Sequence, residues 1–252
     1  MFVRIADDSD AWSGPVSEVA KANRSGGSGW REKEPLKPMV STWDDMSDYV
    51  VHFTKGGDED SGYDAMMSIY YQRVLVPAST FGIGRQRCPE PSSQQAVCFS
   101  EIPPGQWQRL VERRKTKYGM AFAKEFVTSR GGGPIWYVWK DTPHWHVLQN
   151  LMQQAEADAA ARIWRLTPFI DSPGDYPRGS YFFEWEREWR HVGRLSFEPE
   201  DVAFLLIPEH LHEAARSFFE DVRSDNSGPV YLCPYVDPTW DRHRILRVIR
   251  RQ

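Results

Sequence analysis

The sequence predicts an α+β fold, with mixed, mainly antiparallel central sheets flanked by helices. Three observations carry that expectation. Short runs of β-branched and aromatic residues are interleaved irregularly with stretches of helical apolar spacing, unlike the regular strand–helix repeat of a doubly wound sheet. A hydrophobic content of 40% over 252 residues supplies enough apolar surface for a real core. Pro- and Gly-containing breakers separate the runs at short intervals, which suits small elements.

Residues 1–40 are poor in large aliphatics, and Ser25-Gly26-Gly27-Ser28-Gly29 and Pro35-Leu36-Lys37-Pro38 interrupt them. Such a stretch buries too little apolar surface to offset its ordering entropy. It is therefore expected to be a flexible N-terminal arm, followed by a single α+β domain over residues 41–252. Asp48 to Thr54 reads as a strand, and Tyr63 to Val74 as a helix, because Met66, Ile69, Tyr70 and Val74 recur at helical spacing. Ala96 to Ser100 reads as a buried strand, and Pro103-Pro104 introduces a basic helix from Gly105 to Lys117. Met120 to Val127 and Pro134 to Trp139 read as strands. His144 to Arg165 reads as one long helix with Val147, Leu148, Leu151, Met152, Ala155, Ala159 and Ile163 along one face. Beyond a Pro/Gly/Asp-rich loop, the stretch from Glu184 to Phe197 reads as extended. Strands at Val202 to Ile207, Val230 to Leu232 and Arg244 to Ile249 and a helix at Glu209 to Val222 complete the expectation.

A net charge of −4 argues against wholesale polyanion binding, but residues 73–130 and the Arg-rich end are locally basic. Three cysteines, Cys88, Cys98 and Cys233, form neither a disulfide framework nor a C-x-x-C metal pattern, so a reducing, cytoplasmic setting is expected. No apolar run reaches signal-peptide or transmembrane length, so no membrane partner is expected.

The chemistry concentrates in Glu184-Trp185-Glu186-Arg187-Glu188-Trp189-Arg190. Extended, these residues would carry Glu184, Glu186 and Glu188 on one face and Trp185, Arg187 and Trp189 on the other. Like carboxylates on one face repel, so a ligand or partner is expected there. Glutamates beside tryptophans can bond a sugar hydroxyl and stabilise an oxocarbenium-like cation; an ion-paired surface strand is the alternative. His52 could grip a ligand hydroxyl or bond nearby backbone. Ser100 could face a cleft or cap a helix. Tyr118-Gly119 could supply an aromatic wall with a glycine allowing close approach, or simply core packing. No metal is expected: His144 and His146 do not share a helix face and no third ligand stands at zinc spacing. Gly82-Ile83-Gly84 and Gly131-Gly132-Gly133 lack nucleotide-loop context, and no G-x-S-x-G surrounds Ser100.

His52-Phe53-Thr54, Cys98-Phe99-Ser100-Glu101, Tyr118-Gly119 with Phe122, and Glu186-Arg187-Glu188-Trp189-Arg190 ahead of Leu205-Leu206-Ile207-Pro208 resemble AbiGi-type abortive phage infection proteins over residues 48–208. The same order is similar to ADP-ribosyltransferases of the diphtheria-toxin or DarT-like kind, which set a His or Arg on a first strand, a Ser, Thr or Tyr on a middle strand and a catalytic Glu late. That resemblance implies an ADP-ribosyltransferase-like fold and NAD as substrate. His52, with Thr54 beside it, would hold the nicotinamide ribose, and Ser100 or Tyr118 would orient the nicotinamide. Glu188 would bond the ribose 2′-hydroxyl and stabilise the cation, and Glu186 would position or deprotonate the acceptor. The acceptor would be a protein or nucleic acid; Arg109, Arg113, Arg114, Lys115 and Lys117 of the basic helix read either as phosphate contacts or as a simply solvated helix face. The same resemblance implies phage defence or a toxin-antitoxin pair, with a cognate toxin or antitoxin as partner. A non-catalytic antitoxin or binding module, and a nuclease using Glu184, Glu186 and Glu188 for a divalent metal, stand as alternatives.

Overall fold

The computed structural model describes residues 46–54, 59–176 and 179–249, all within the unit Val40–Gln252. The arm expected over residues 1–40 lies outside the described residues. Seven strands form the central sheet and are numbered here in chain order: β1 Tyr49–Phe53, β2 Ala96–Ser100, β3 Gly119–Ala123, β4 Gly133–Pro134, β5 Glu188–Val192, β6 Val202–Leu206 and β7 Tyr235–Val236. They lie side by side in the order β7-β6-β3-β1-β2-β5-β4. Neighbours pair antiparallel, except the parallel β6 and β7. The fold is thus mixed α+β with a mainly antiparallel central sheet.

Side-chain alternation divides the sheet into two buried faces. Val50, Val97, Phe99, Met120, Phe122, Trp189 and Leu205 enter one core, closed by Met66 and Tyr70 of α1 (Glu59–Gln72) and Phe219 of α5 (His212–Asp225). Val51, Phe53, Ala121, Phe204 and Leu206 point the other way. They meet Trp107 and Leu110 at the start of α2 (Gln108–Arg114), and Ile245 and Ile249 of α6 (Arg242–Ile249).

The sheet is not zipped evenly. β1 pairs with β3 at all five of its residues, and β2 pairs with β5 at all five of its own. Between them, β1 and β2 share a single register pair, Val51 with Ser100. Beyond it the two halves of the sheet separate, and the seam opens beside His52 and Cys98.

Gly119 makes the close approach of β3 to β1 possible. A Cβ there would stand 2.6 Å from the His52 carbonyl oxygen and 3.2 Å from the Phe53 Cα, both backbone atoms that cannot swing aside. Gly119→Ala is expected to destabilise the domain by about 1–3 kcal/mol, the usual penalty of overpacking. A urea midpoint equal to that of the unmodified chain would refute this.

Several elements differ from the sequence reading. The long helix stops early: α4 spans Pro143–Gln154, and Arg162–Arg165 is a separate 3-10 turn. Burial of Trp164 against Met152, Ala155 and Cys88 folds the chain back, and its indole nitrogen donates to the Asp158 carbonyl at 2.9 Å. Tertiary packing therefore overrides the helix propensity of the alanine-rich stretch. Ala123 is where the expected strand over 120–127 gives way to α3 (Lys124–Ser129), which lets Phe126 stack on Phe122 with centroids 5.0 Å apart. The C-terminal segment is the helix α6 rather than a strand, since Ile245 and Ile249 are one turn apart and both buried. Leu232 is exposed, and the pairing expected at Val230 to Leu232 falls instead at Tyr235–Val236.

Candidate functional site

Where the seam opens lies a cavity of about 530 Å³, within the range that holds small ligands. His52 and Thr54 line one side, Cys98 of β2 another, and Arg113 and Arg114 of α2 reach it from the second face of the sheet. Ala65 and Ile69 of α1 contribute its apolar wall.

His52 holds the β1 side of the seam. Its Nδ1 sits 2.9 Å from the Cys98 carbonyl, which can only accept, so Nδ1 carries the proton and Nε2 is the acceptor. Burial, and secondarily the Arg114 charge, push its pKa down from 6.5 to about 4 despite the opposing Cys98 hydrogen bond. The ring is therefore neutral at physiological pH. Because the unfolded chain takes up this proton first, stability is lost as pH falls from 6.5 through about 4, by about 2–4 kcal/mol. Denaturation of His52→Asn is expected to lack that part of the pH slope; an unchanged slope would contradict it.

The acidic stretch is not one extended face. Glu184–Glu186 forms a 3-10 turn and Arg187 takes a left-handed φ of 45°, so β5 begins only at Glu188. The turn separates the two buried carboxylates. Glu186 meets α2, with Oε2 2.9 Å from Arg114 Nη2 and Oε1 3.4 Å from Arg113 Nε. Glu188 is clamped by Arg190, with Nε donating to Oε1 at 2.8 Å and Nη2 to Oε2 at 3.1 Å.

Arg190 is fully buried and also donates to Asp171 Oδ2 at 2.7 Å and to the Pro168 carbonyl at 2.6 Å. Burial alone would lower its pKa, but Glu188 and Asp171 outweigh that and hold it above the ordinary arginine value. The phenols of Tyr137 and Tyr181 are raised, chiefly by burial and then by Glu188 for Tyr137 and Asp171 for Tyr181. The Cys98 thiol is raised too, by burial first and then by Glu188. Cys98 thus adjoins both the cavity and Glu188, and Arg114 joins the cavity to Glu186.

The six candidate residues divide accordingly. His52 and Thr54 line the cavity, but the Thr54 hydroxyl donates to the Gly62 carbonyl at 2.9 Å and so ties β1 to α1. Ser100 is buried opposite Glu188 and Val51, outside the cavity lining. Tyr118 is in the core, edge-on to Tyr63 with centroids 5.7 Å apart, also outside the lining. Glu186 and Glu188 stand behind the cavity wall, each held by arginine.

In the sequence Arg109, Arg113 and Arg114 read as phosphate contacts or as a solvated helix face. In the fold Arg109 covers the Trp185 ring at 3.8 Å and Arg113 covers Phe183 at 3.6 Å, so the basic helix turns toward the acidic stretch. Asp171, Tyr137 and Tyr181 carried no local signal. Glu101 carried one only as part of its motif: it accepts from Trp189 Nε1 at 2.7 Å, pairs with Lys124, and bonds the Arg187 carbonyl through its backbone nitrogen at 3.1 Å. Both neighbours of Glu188 are therefore anchored by one buried residue.

Among the described residues no group of three or more His, Cys, Asp or Glu side chains is arranged to hold a metal ion. None of the described helices is long and apolar enough to cross a membrane. No protein family, no curated protein and no solved structure matches this chain.

Proposed function

We propose that the protein is an ADP-ribosyltransferase-like component of phage defence or of a toxin-antitoxin pair, passing ADP-ribose from NAD to a macromolecule. One observation carries the reading: the cavity at the β1–β2 seam has His52 on one side, with Glu188 behind its wall at Cys98 and Glu186 behind it at Arg114. The order His52 on β1, Ser100 on β2 and Glu188 on β5, three neighbouring strands, agrees with the order in the transferases that the sequence resembles.

In the reaction, the bond between ribose C1′ and the nicotinamide nitrogen breaks and nicotinamide leaves with the electron pair. Glu188 stabilises the cation that develops. Its two oxygens offer about four acceptor positions, of which Arg190 uses two, so a ribose hydroxyl can still donate to it. The acceptor then bonds C1′, and Glu186 takes its proton. Neutral His52 supplies a hydrogen-bonding edge without repelling the cation.

The acceptor reading favours a protein or nucleic acid, and a cytoplasmic site of action follows from NAD as the substrate. A second reading, a non-catalytic antitoxin or binding module, is favoured by the pairing of both carboxylates with the chain's own arginines. The test is incubation of the full chain with NAD labelled in its adenylate half, together with cell lysate or nucleic acid. Nicotinamide release with label on an acceptor is expected; neither product from any acceptor would leave the second reading.

A further inference from the structure

We infer that Arg113 and Arg114 form a diphosphate-binding fork whose resting occupant is Glu186, so that an incoming nucleoside diphosphate displaces that carboxylate and releases it. The fork concerns the same cavity as the proposed function and is independent of its chemistry; only the base role of Glu186 rests on that reading.

Four features of the site support it. Both arginines line the cavity, and among the described residues no Asp or Glu lines it, Glu186 meeting the arginines from outside the lining. His52 is held neutral and leaves that balance unchanged. Glu186 engages the fork incompletely: one contact is 2.9 Å and the other 3.4 Å, and neither arginine is held bidentately. Arg114 Nε is buried with no hydrogen-bond partner, a donor whose desolvation nothing in the resting arrangement offsets. A diphosphate carries more charge than one carboxylate and more acceptor oxygens, so it can satisfy both guanidinium groups at once. The rest of the cavity suits the nucleoside: Ile69, Val76, Val97 and Phe81 offer apolar and aromatic surface beside the fork.

Displacement has a consequence for Glu186. In the resting state its charge is spent on two arginines. With a diphosphate in the fork it becomes a free base beside the bound ligand, so base activation waits for ligand entry.

The experiment is calorimetric titration of the full chain with ADP and, separately, inorganic pyrophosphate, using the unmodified chain, Glu186→Gln, Arg114→Gln and the double variant. Glu186→Gln removes the internal competitor and is expected to tighten both ligands about tenfold. Arg114→Gln is expected to weaken both about tenfold and to abolish the gain in the double variant. Pyrophosphate binding alone, without added affinity for ADP, would assign the site to a free diphosphate rather than a nucleotide and overturn the nucleoside part. Equal or weaker binding by Glu186→Gln, or no binding of either ligand by any form, would overturn the inference. If Glu186→Gln fails to fold, protection of Arg114 from phenylglyoxal by ADP in the unmodified chain decides it: slowed modification is expected and an unchanged rate refutes it. A chain that binds pyrophosphate in this pattern but releases no nicotinamide from NAD keeps the fork and loses the transferase reading.

Discussion

Arg190→Met is expected to cost the domain about 3–5 kcal/mol, enough to unfold a marginally stable protein. Arg190 is the largest fully buried charged side chain of the described core and the shared partner of Glu188, Asp171 and the Pro168 carbonyl. Its removal leaves two buried carboxylates without their shared guanidinium; Asp171 keeps the Tyr181 hydroxyl and the Ser172 backbone N–H, each at 3.3 Å, and Arg85 at 3.8 Å. Lysine is no substitute, because one ammonium cannot reproduce the three directions in which the guanidinium donates. Replacing Glu188 and Arg190 together by Gln and Met should restore part of the loss, since the uncompensated Glu188 charge then disappears. Urea denaturation of the three chains measures it. A loss below about 1 kcal/mol for Arg190→Met would mean that the buried quartet contributes little.

Glu188→Gln is expected to lower nicotinamide release from NAD by about 10²–10³-fold, the scale of one removed electrostatic stabiliser, while leaving the fold in place. The amide oxygen can still accept from one Arg190 nitrogen, although the amide NH2 cannot replace the second acceptor, and Asp171 remains as counter-ion to Arg190. What disappears is the charge that would face the developing cation. Glu186→Gln should behave differently under the same reading: nicotinamide release persists, and label transfer to the acceptor falls. Equal release by Glu188→Gln and the unmodified chain would sink the catalytic assignment. Because Glu101 anchors Trp189 and the Arg187 carbonyl, the position of Glu188 does not depend on Glu188 itself.

Much of the central sheet was legible because its signals are local. Tyr49–Phe53, Ala96–Ser100 and Val202–Leu206 are short runs rich in β-branched and aromatic residues, bounded by polar turns or prolines. The site was legible in composition more than in shape. His52, Glu186 and Glu188 stood out as residue types in unusual company, and His52 does line the cavity. Ser100 and Tyr118 stood out equally and are buried away from it. The boundaries that failed are those where a distant aromatic decides the backbone: Trp164 ends α4 early, and Phe126 on Phe122 turns a strand into α3. The acidic stretch was read as extended because alternation is what a period-two pattern predicts. A left-handed Arg187 broke it, and no side chain advertises that conformation.

Strand and helix types follow from spacing within about a dozen residues, so the chain carries them wherever it folds. The pairing of charges does not. Arg114 reaches Glu186 across 72 positions, and Arg190 reaches Asp171 across 19, because tertiary packing brings α2 to the 184–186 turn and the 167–171 segment to β5. Whether three glutamates form a repulsive face or two separately neutralised carboxylates depends on those long-range contacts, and so does the cavity, which exists because β1 and β2 stop pairing after Val51 and Ser100.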